Sequence, residues 1–372
     1  MERITLIHTA DVHLGLAAEA FGSRASQLRQ YVRESFVRLM ALCLESRADL
    51  LLIAGDLFDS PRPAQKTAEF GRAQLGRLGE ADPPVQVVIL PGTHDPGQPG
   101  SVYEEWLRLG LPPHLHLLTD PGGAPVSLLE GALLVHGGPG CLDLSASPEA
   151  AWNVGAIHAS VQMGNLLDAQ GPVLDPGRIA ASGLNYLGLG HWHSFADYST
   201  GGVTALYPGS PEILALDQTE AGQALRVTLA AGASPQVDRL PTGQLRREAV
   251  EINVADFANQ DQLAEQLRLR GDPRLLLEVT LAGLAHATFG GDPEALAAEL
   301  EGEFFRLRVR DRSDLAPEEL SDLHYPPELV AGRFVRLMQD RVAAAEGDEA
   351  AQARERQALA LGLALLEGKE VL

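Results

Sequence analysis

Five short apolar runs before residue 194 each lead into an acidic residue, a histidine or both, and this recurrence restricts the fold more than any other feature. Ile4 to His8 leads into Asp11-Val12-His13, and Leu50 to Ala54 into Gly55-Asp56-Leu57-Phe58-Asp59. Val85 to Leu90 leads into Gly92-Thr93-His94-Asp95, Val154 to Ile157 into His158, and Tyr186 to Leu189 into Gly190-His191-Trp192-His193. Apolar runs of this length read as buried strands, and in open α/β sheets ligand sites gather at the carboxyl ends of strands. Core packing does not explain five polar groups arriving at one sheet edge. Between the first two runs, Leu28, Tyr31, Val32, Ser35, Phe36, Leu39, Met40 and Cys43 recur at helical spacing, with Arg29, Arg33, Glu34 and Arg38 on the other side. A further run, Ala132 to Val135, continues the alternation. The pattern is that of an α/β domain.

Carboxylate oxygen and imidazole nitrogen together form the donor set expected for Mn, Fe or Zn. In Asp11-x-His13, period-two geometry would aim both side chains the same way, towards one ion. His191 and His193 share that spacing and could serve two neighbouring ions. A single Asp56 carboxylate can bridge two ions ~3.5–4 Å apart, a separation suited to in-line attack on phosphorus by an activated water.

At 372 residues the chain suggests two domains. Ala230 to Thr242, containing Gly, Pro and Ser, reads as a linker, and the texture changes beyond it. Ala249 to Val254, Leu275 to Leu281 and Phe304 to Val309 read as strands around a helical Gln260 to Leu269. From about Ala316 the pattern is helical, interrupted at Pro326-Pro327 and near Gly347. The expected organisation is a site-bearing domain over 1–230, a smaller α/β domain over 243–315 and a helical tail over 316–372. No apolar segment approaches the ~20 residues that span a bilayer, and no leader pattern stands at the N-terminus. Cys43 and Cys141 fit neither metal-type nor disulfide-type spacing, so the expected compartment is the cytoplasm. A formal net charge of −21 argues against nucleic-acid binding through overall charge, but not against binding at a metal-lined cleft.

The series Asp11-x-His13, Gly55-Asp56-x-x-Asp59, Gly92-Thr93-His94-Asp95, His158 and Gly190-His191-x-His193 resembles the calcineurin-like metallophosphoesterases. With Tyr207-Pro208-Gly209-Ser210 and Glu220-x-Gly222, the spacing is most similar to the SbcD-type DNA repair exonucleases. Ile157-His158-Ala159-Ser160 resembles their YhaO-like branch. The resemblance covers residues 1 to about 230. It implies a β-sandwich flanked by helices, a C-terminal capping domain, and two divalent ions, with manganese the expected metal. By the same resemblance Asp11, His13, Asp56 and His193 would hold the first ion, and Asp56, Thr93, His158 and His191 the second. His94 would act near the leaving oxygen, oriented by Asp95. The implied activity is metal-dependent hydrolysis of DNA phosphodiesters, with an SMC-like ATPase as partner. A homodimer through early helices such as Leu28 to Leu44 would also fit. One position departs from the family pattern: Thr93 stands where Asn is usual. A hydroxyl is a shorter, poorer ligand than an amide oxygen, so weaker binding of the second ion is expected.

Other residues have plainer readings. Asp59 is expected to support its loop by hydrogen bonds, and His8 to pack within the first strand. His136 competes with His158 for the last ligand place, and His158 stands at the more family-like position. His114 and His116 read as histidines of an edge strand, and His286 and His324 as structural. Trp192 either stacks on a base or fixes its loop. Arg24, Arg29, Arg62 and Lys66 either contact phosphates or form solvated helix faces. Two other functions compete: a small-molecule phosphodiesterase or phosphatase on the same ions, and a metal-poor, weakly active subunit of a DNA-maintenance complex.

Overall fold

The computed structural model describes residues 2–162, 171–285, 289, 292–315, 325–326, 328–345 and 347–366. His286 and His324 lie outside the described residues. The backbone divides into two compact units, Met1–Arg246 and Arg247–Leu372.

The first unit contains two six-stranded sheets. One has the order Gln236–Pro241, Gln223–Ala230, Arg3–Thr9, Leu50–Ala54, Gln86–Leu90, Leu115–Leu117. The other has the order Phe195–Asp197, Thr204–Pro208, Tyr186–Gly190, Trp152–His158, Leu133–His136, Val126–Leu128. In each sheet four neighbouring strands run parallel. The registers Thr9↔Ile53, Ala54↔Leu90 and Gly190↔His158 bring the strand ends level, so the polar groups that follow them share an edge.

Side-chain alternation explains the layering. Leu50 and Leu52 join Ile4, Leu6, Val88 and Leu90 in a core with Val135, Val154, Ala156, Tyr186 and Leu206 of the other sheet. Leu51 and Ile53, pointing the opposite way, pack with Ile7, Val87 and Ile89 against Val32, Phe36, Leu39, Met40 and Cys43 of the helix Ala25–Glu45. Ile157, Leu187 and Leu189 pack with Ile179 of the helix Pro176–Ser182 outside the second sheet. The result is a β-sandwich flanked by helices, as expected. The apolar stripe of Ala25–Glu45 is used within the unit, and its exposed large apolar residues are Val37 and Leu44.

The stretch read as a linker, Ala230 to Thr242, instead forms the outer arm of a hairpin. Gln236–Pro241 pairs antiparallel with Gln223–Ala230 after a turn in which Gly232 takes φ +76°. This is an edge strand with Asp238 and Arg239 exposed, and Asp238 accepts two hydrogen bonds from Arg226. A half-solvated, charged edge lacks the apolar alternation that identifies a strand.

The second unit holds a three-stranded sheet, Arg246–Asn253, Asp272–Ala282, Phe304–Asp311 in that order. Helices Gln260–Arg268 and Pro293–Glu299 supply Leu263, Leu267 and Leu296 to its core, with Leu275, Leu277, Val279 and Phe304 from the sheet. Helices Val330–Ala344 and Glu349–Leu366 share a smaller apolar cluster around Val335, Met338, Leu359 and Leu363. Among the described residues no helix is long and apolar enough to cross a membrane.

Candidate metal centre

Asp11 and His13 reach the site by a different route from the one their spacing suggested. Neither is extended: both lie beyond the first strand in the left-handed region, Asp11 at φ 55° and His13 at φ 52°. Asp56 (φ 52°) and His191 (φ 101°) are also left-handed. This conformation costs non-glycine residues roughly 1–3 kcal/mol each and persists only where neighbours impose it. Here the two loops zip together: Asp11 N–H donates to the Gly55 carbonyl at 3.1 Å, His13 N–H to Asp56 at 3.0 Å and Leu14 N–H to Leu57 at 2.9 Å.

Two glycines permit the close approach. A Cβ on Gly55 would stand 2.0 Å from His158 Nδ1, and one on Gly92 would stand 2.1 Å from Asp56 Oδ1. Each glycine therefore makes room for a neighbouring site residue.

Asp56 is the hub. Its Oδ1 accepts from the His94 backbone N–H at 2.7 Å, while Oδ2 lies 3.2 Å from His158 Nε2 and 3.9 Å from His13 Nε2. The Thr93 hydroxyl donates to the same Oδ2 at 3.3 Å and lies 3.5 Å from His158 Nε2. On the other side, His193 Nε2 lies 3.3 Å from His13 Nε2 and 3.9 Å from Asp11 Oδ1. Three groups, Asp11–His13–His193, His13–Asp56–His94 and Asp11–Asp56–His158, have possible ligand atoms within 4.8 Å of one another. Carboxylates and imidazoles converging at this spacing suit a divalent ion.

His191 comes near without joining these groups. Its ring centroid is 5.3 Å from that of His158, and its backbone N–H donates to both Asp11 carboxylate oxygens at 3.1 Å. His94 is half-exposed, and its ring meets that of His13 edge-on at 4.7 Å.

The expected pairing of Asp95 with His94 is not formed. Asp95 is fully buried; its Oδ1 accepts from Gly92 N–H at 2.8 Å, and its Oδ2 from Phe58 N–H at 2.9 Å and the Tyr103 hydroxyl at 2.5 Å. It fastens the loops that carry Asp56 and His94 rather than the His94 ring. The carboxylate facing that ring is Asp59, 3.6 Å from His94 Nδ1 and 2.9 Å from His13 Nδ1. Asp59 thus does more than brace its loop. Tyr103, placed by the helix Val102–Leu109 with Ser101 as its N-cap, carried no signal in the sequence.

Burial and charge oppose each other throughout. Burial disfavours a charged His158, but the Asp56 hydrogen bond and the Asp11 and Asp56 charges outweigh it and raise its pKa to about 9. His13 is raised by the same contest, with burial opposed chiefly by Asp59. For Asp56, burial is outweighed by His158 and His13, and its pKa falls well below the usual carboxylate range. Burial and the nearby Asp56 charge push Asp95 up to about 7, against the hydrogen bonds it accepts.

The remaining candidates lie elsewhere. His136 bonds Asn153 at 2.8 Å, His114 the Leu75 carbonyl at 3.1 Å, and His116 the Gln86 side chain at 3.1 Å. His8 is buried against Tyr186. Trp192 is 55% exposed, so its ring is not a core residue. Arg29 and Arg62 donate to the Ala17 and Gly100 carbonyls, Arg24 to Gln27, and Lys66 is exposed.

The family model of the calcineurin-like phosphoesterases matches residues 4–195, just over half of the chain. The chain belongs to this family. Members of this calcineurin-like family hydrolyse phosphoester bonds with divalent metals, a chemistry that the donor groups fit. The DNA double-strand break repair protein Mre11 of Methanopyrus kandleri is 30% identical over 232 residues, which are 56% of this chain and 49% of that protein. YhaO of Bacillus subtilis, an uncharacterised metallophosphoesterase, is 23% identical over 302 residues, 74% of this chain and 72% of that one. The SbcD component of the SbcCD nuclease of Rhodobacter capsulatus is 34% identical over 119 residues, 32% of this chain and 28% of that one. The chain therefore spans about half the length of the Mre11 relative and less of the SbcD relative.

Proposed function

We propose that the chain is a metal-dependent DNA nuclease of the exonuclease type, acting in DNA repair. The observation that carries this reading is Asp56, whose one carboxylate faces the imidazoles of both His13 and His158 beside the half-exposed His94. Asp11, His13, Asp56 and His193 would hold a first divalent ion, and Asp56, Thr93, His158 and His191 a second, with manganese the metal we assign. Ions held by these residues would supply an activated water and charge stabilisation for phosphodiester hydrolysis. His94 stands where it can pass a proton to the departing 3′ oxygen, held by Asp59; Asp95 keeps the His94 and Asp56 loops in register.

DNA is favoured as substrate because the Mre11 and SbcCD relatives are named for break repair and nuclease activity. The resemblance also suggests an SMC-like ATPase partner, which would supply DNA affinity that a chain of net charge −21 lacks. By the same resemblance, the α/β domain over 243–315 would act as a cap that positions a strand. A homodimer through the helix Ala25–Glu45 would have to use its outer face. Two free cysteines, Cys43 and Cys141, suit the reducing cytoplasm.

The test is a comparison of single-stranded DNA, duplex DNA and a nitrophenyl phosphate ester as substrates with Mn2+, for wild type, Asp56→Ala and His94→Ala. DNA cleavage lost in both variants is expected. Turnover of the small ester without DNA cleavage would replace the nuclease reading with a small-molecule phosphoesterase. DNA cleavage that survives both substitutions would remove this centre from the reaction.

A further inference from the structure

Three of the four histidines in the donor groups, His13, His158 and His193, are backed by different chemistry. Behind His158, Nδ1 lies 2.9 Å from the Ala54 carbonyl oxygen; behind His13, Nδ1 lies 2.9 Å from the Asp59 carboxylate. Both partners are acceptors. Each Nδ1–H therefore donates behind its ring, and Nε2 is left facing the site as the nitrogen that a metal takes once its proton is lost.

His193 is backed by a donor. Its Nδ1 lies 2.7 Å from Gln218 Nε2. The amide orientation follows from its other end, since Gln218 Oε1 accepts from the Leu214 backbone N–H at 2.7 Å and the Ser210 hydroxyl at 3.3 Å. Turning the amide over would set its NH2 group against the Leu214 N–H, donor against donor. Gln218 and Ser210 are buried, so water does not relieve that conflict. An amide NH2 only donates, so His193 Nδ1 must accept, and a neutral ring then carries its proton on Nε2. His193 Nε2 stands 3.3 Å from His13 Nε2, and the other nitrogen of His13 faces Asp59. The bonds behind the two rings thus run in opposite senses, from Gln218 into His193 and from His13 out to Asp59.

We propose that Gln218 is a positioning residue that holds the metal-free His193 ring in its Nε2–H tautomer and thereby lowers the affinity of the first metal site. The proposal rests on the metal-centre reading above. A first-site ion must displace the Nε2 proton of His193. Nδ1 can take a proton in exchange only if the amide swings away. A glutamate at 218 removes this conflict: one oxygen still accepts from Leu214 N–H, and the other accepts from His193 Nδ1–H, giving a carboxylate–histidine–metal arrangement.

The experiment uses the full chain. Nitrogen-15 histidine spectra of the metal-free protein at neutral pH, with the His193 signal assigned by its loss in His193→Gln, should show the Nε2–H tautomer for His193. Calorimetric titration with Mn2+ should then show one site tightened about 10-fold in Gln218→Glu. Gln218→Ala, the second variant should the glutamate not fold, should also tighten that site, whereas loss of a mere support for His193 would weaken it. An Nδ1–H tautomer in wild-type His193, with Mn2+ bound normally, overturns this proposal and leaves the metal centre standing. Unchanged or weaker Mn2+ binding in folded Gln218→Glu overturns it as well. No Mn2+ binding by wild type or either variant overturns both the proposal and the metal-centre reading.

Discussion

Replacing His8 with phenylalanine removes a titration that the fold suppresses. The His8 ring is fully buried between the sheets, with Nδ1 2.8 Å from the Tyr186 hydroxyl. Burial pushes its pKa down from 6.5 to about 3, slightly offset by the Leu189 backbone. Because the folded-state value is the lower one, the unfolded chain takes up the proton first as pH falls. His8 therefore contributes stability that is fully present above its unfolded pKa and is lost progressively as pH falls from 6.5 towards 3. Proton linkage over that window makes the loss about 2 kcal/mol between pH 7 and pH 5. The assay is urea unfolding with EDTA present, followed by tryptophan fluorescence. Trp106, Trp152 and Trp192 all belong to Met1–Arg246, so the signal reports that unit. His13 and His158, whose pKa values are raised, lose stability in the opposite direction, as pH rises, but do so in both proteins and cancel. Wild type should lose about 2 kcal/mol more than His8→Phe on going from pH 7 to pH 5. Equal losses to within about 0.5 kcal/mol would refute the argument that burial of this ring governs acid stability.

Two further substitutions probe the proposed centre. Thr93→Asn restores an amide oxygen beside Asp56 and His158 and should tighten the second Mn2+ site about 10-fold by calorimetry; indistinguishable affinities would show that the hydroxyl is not what limits that site. Asp59→Asn keeps the shape but removes the charge that Asp59 presents to His13 and His94, so Mn2+ affinity and kcat should each fall by about 10- to 100-fold. If Mn2+ binding and the pH–rate profile both match wild type, Asp59 braces its loop and nothing more.

The sandwich was legible because its strands are buried on both faces. Leu50-Leu51-Leu52-Ile53 reads as a strand whichever way its residues point, and in the fold they point alternately to the inner core and to the helix layer. Gln236–Pro241 was not legible, because an edge strand with one solvated face carries Asp238 and Arg239 where a buried strand would carry Val or Ile. The stretch Ala230 to Thr242 was polar for the same reason that a loop is polar, and only pairing with Gln223–Ala230 distinguishes the two.

The candidate site divides along a similar line. Spacing after strand ends was enough to bring Asp11, His13, Asp56, Thr93, His94, His158 and His193 together, because strand register fixes where each loop begins. Spacing did not give the conformation of Asp11-x-His13, since left-handed backbone is imposed by the neighbouring Gly55–Leu57 loop and not by the tripeptide itself. Nor did it give the partner of Asp95: adjacency suggested His94, whereas the carboxylate turns inward to Tyr103 on a separate helix. The deepest gap concerns hydrogen-bond direction. A histidine in a sequence offers two nitrogens, and whether one is free for a metal depends on whether the residue behind the other donates or accepts. Gln218 follows His193 by 25 residues, in a turn with no periodic pattern, and its amide reads as either donor or acceptor until the Leu214 N–H fixes its orientation. Ligand identity is thus a property that spacing can carry. Ligand readiness is set by a three-dimensional chain of donors, and for His193 that chain runs against the metal.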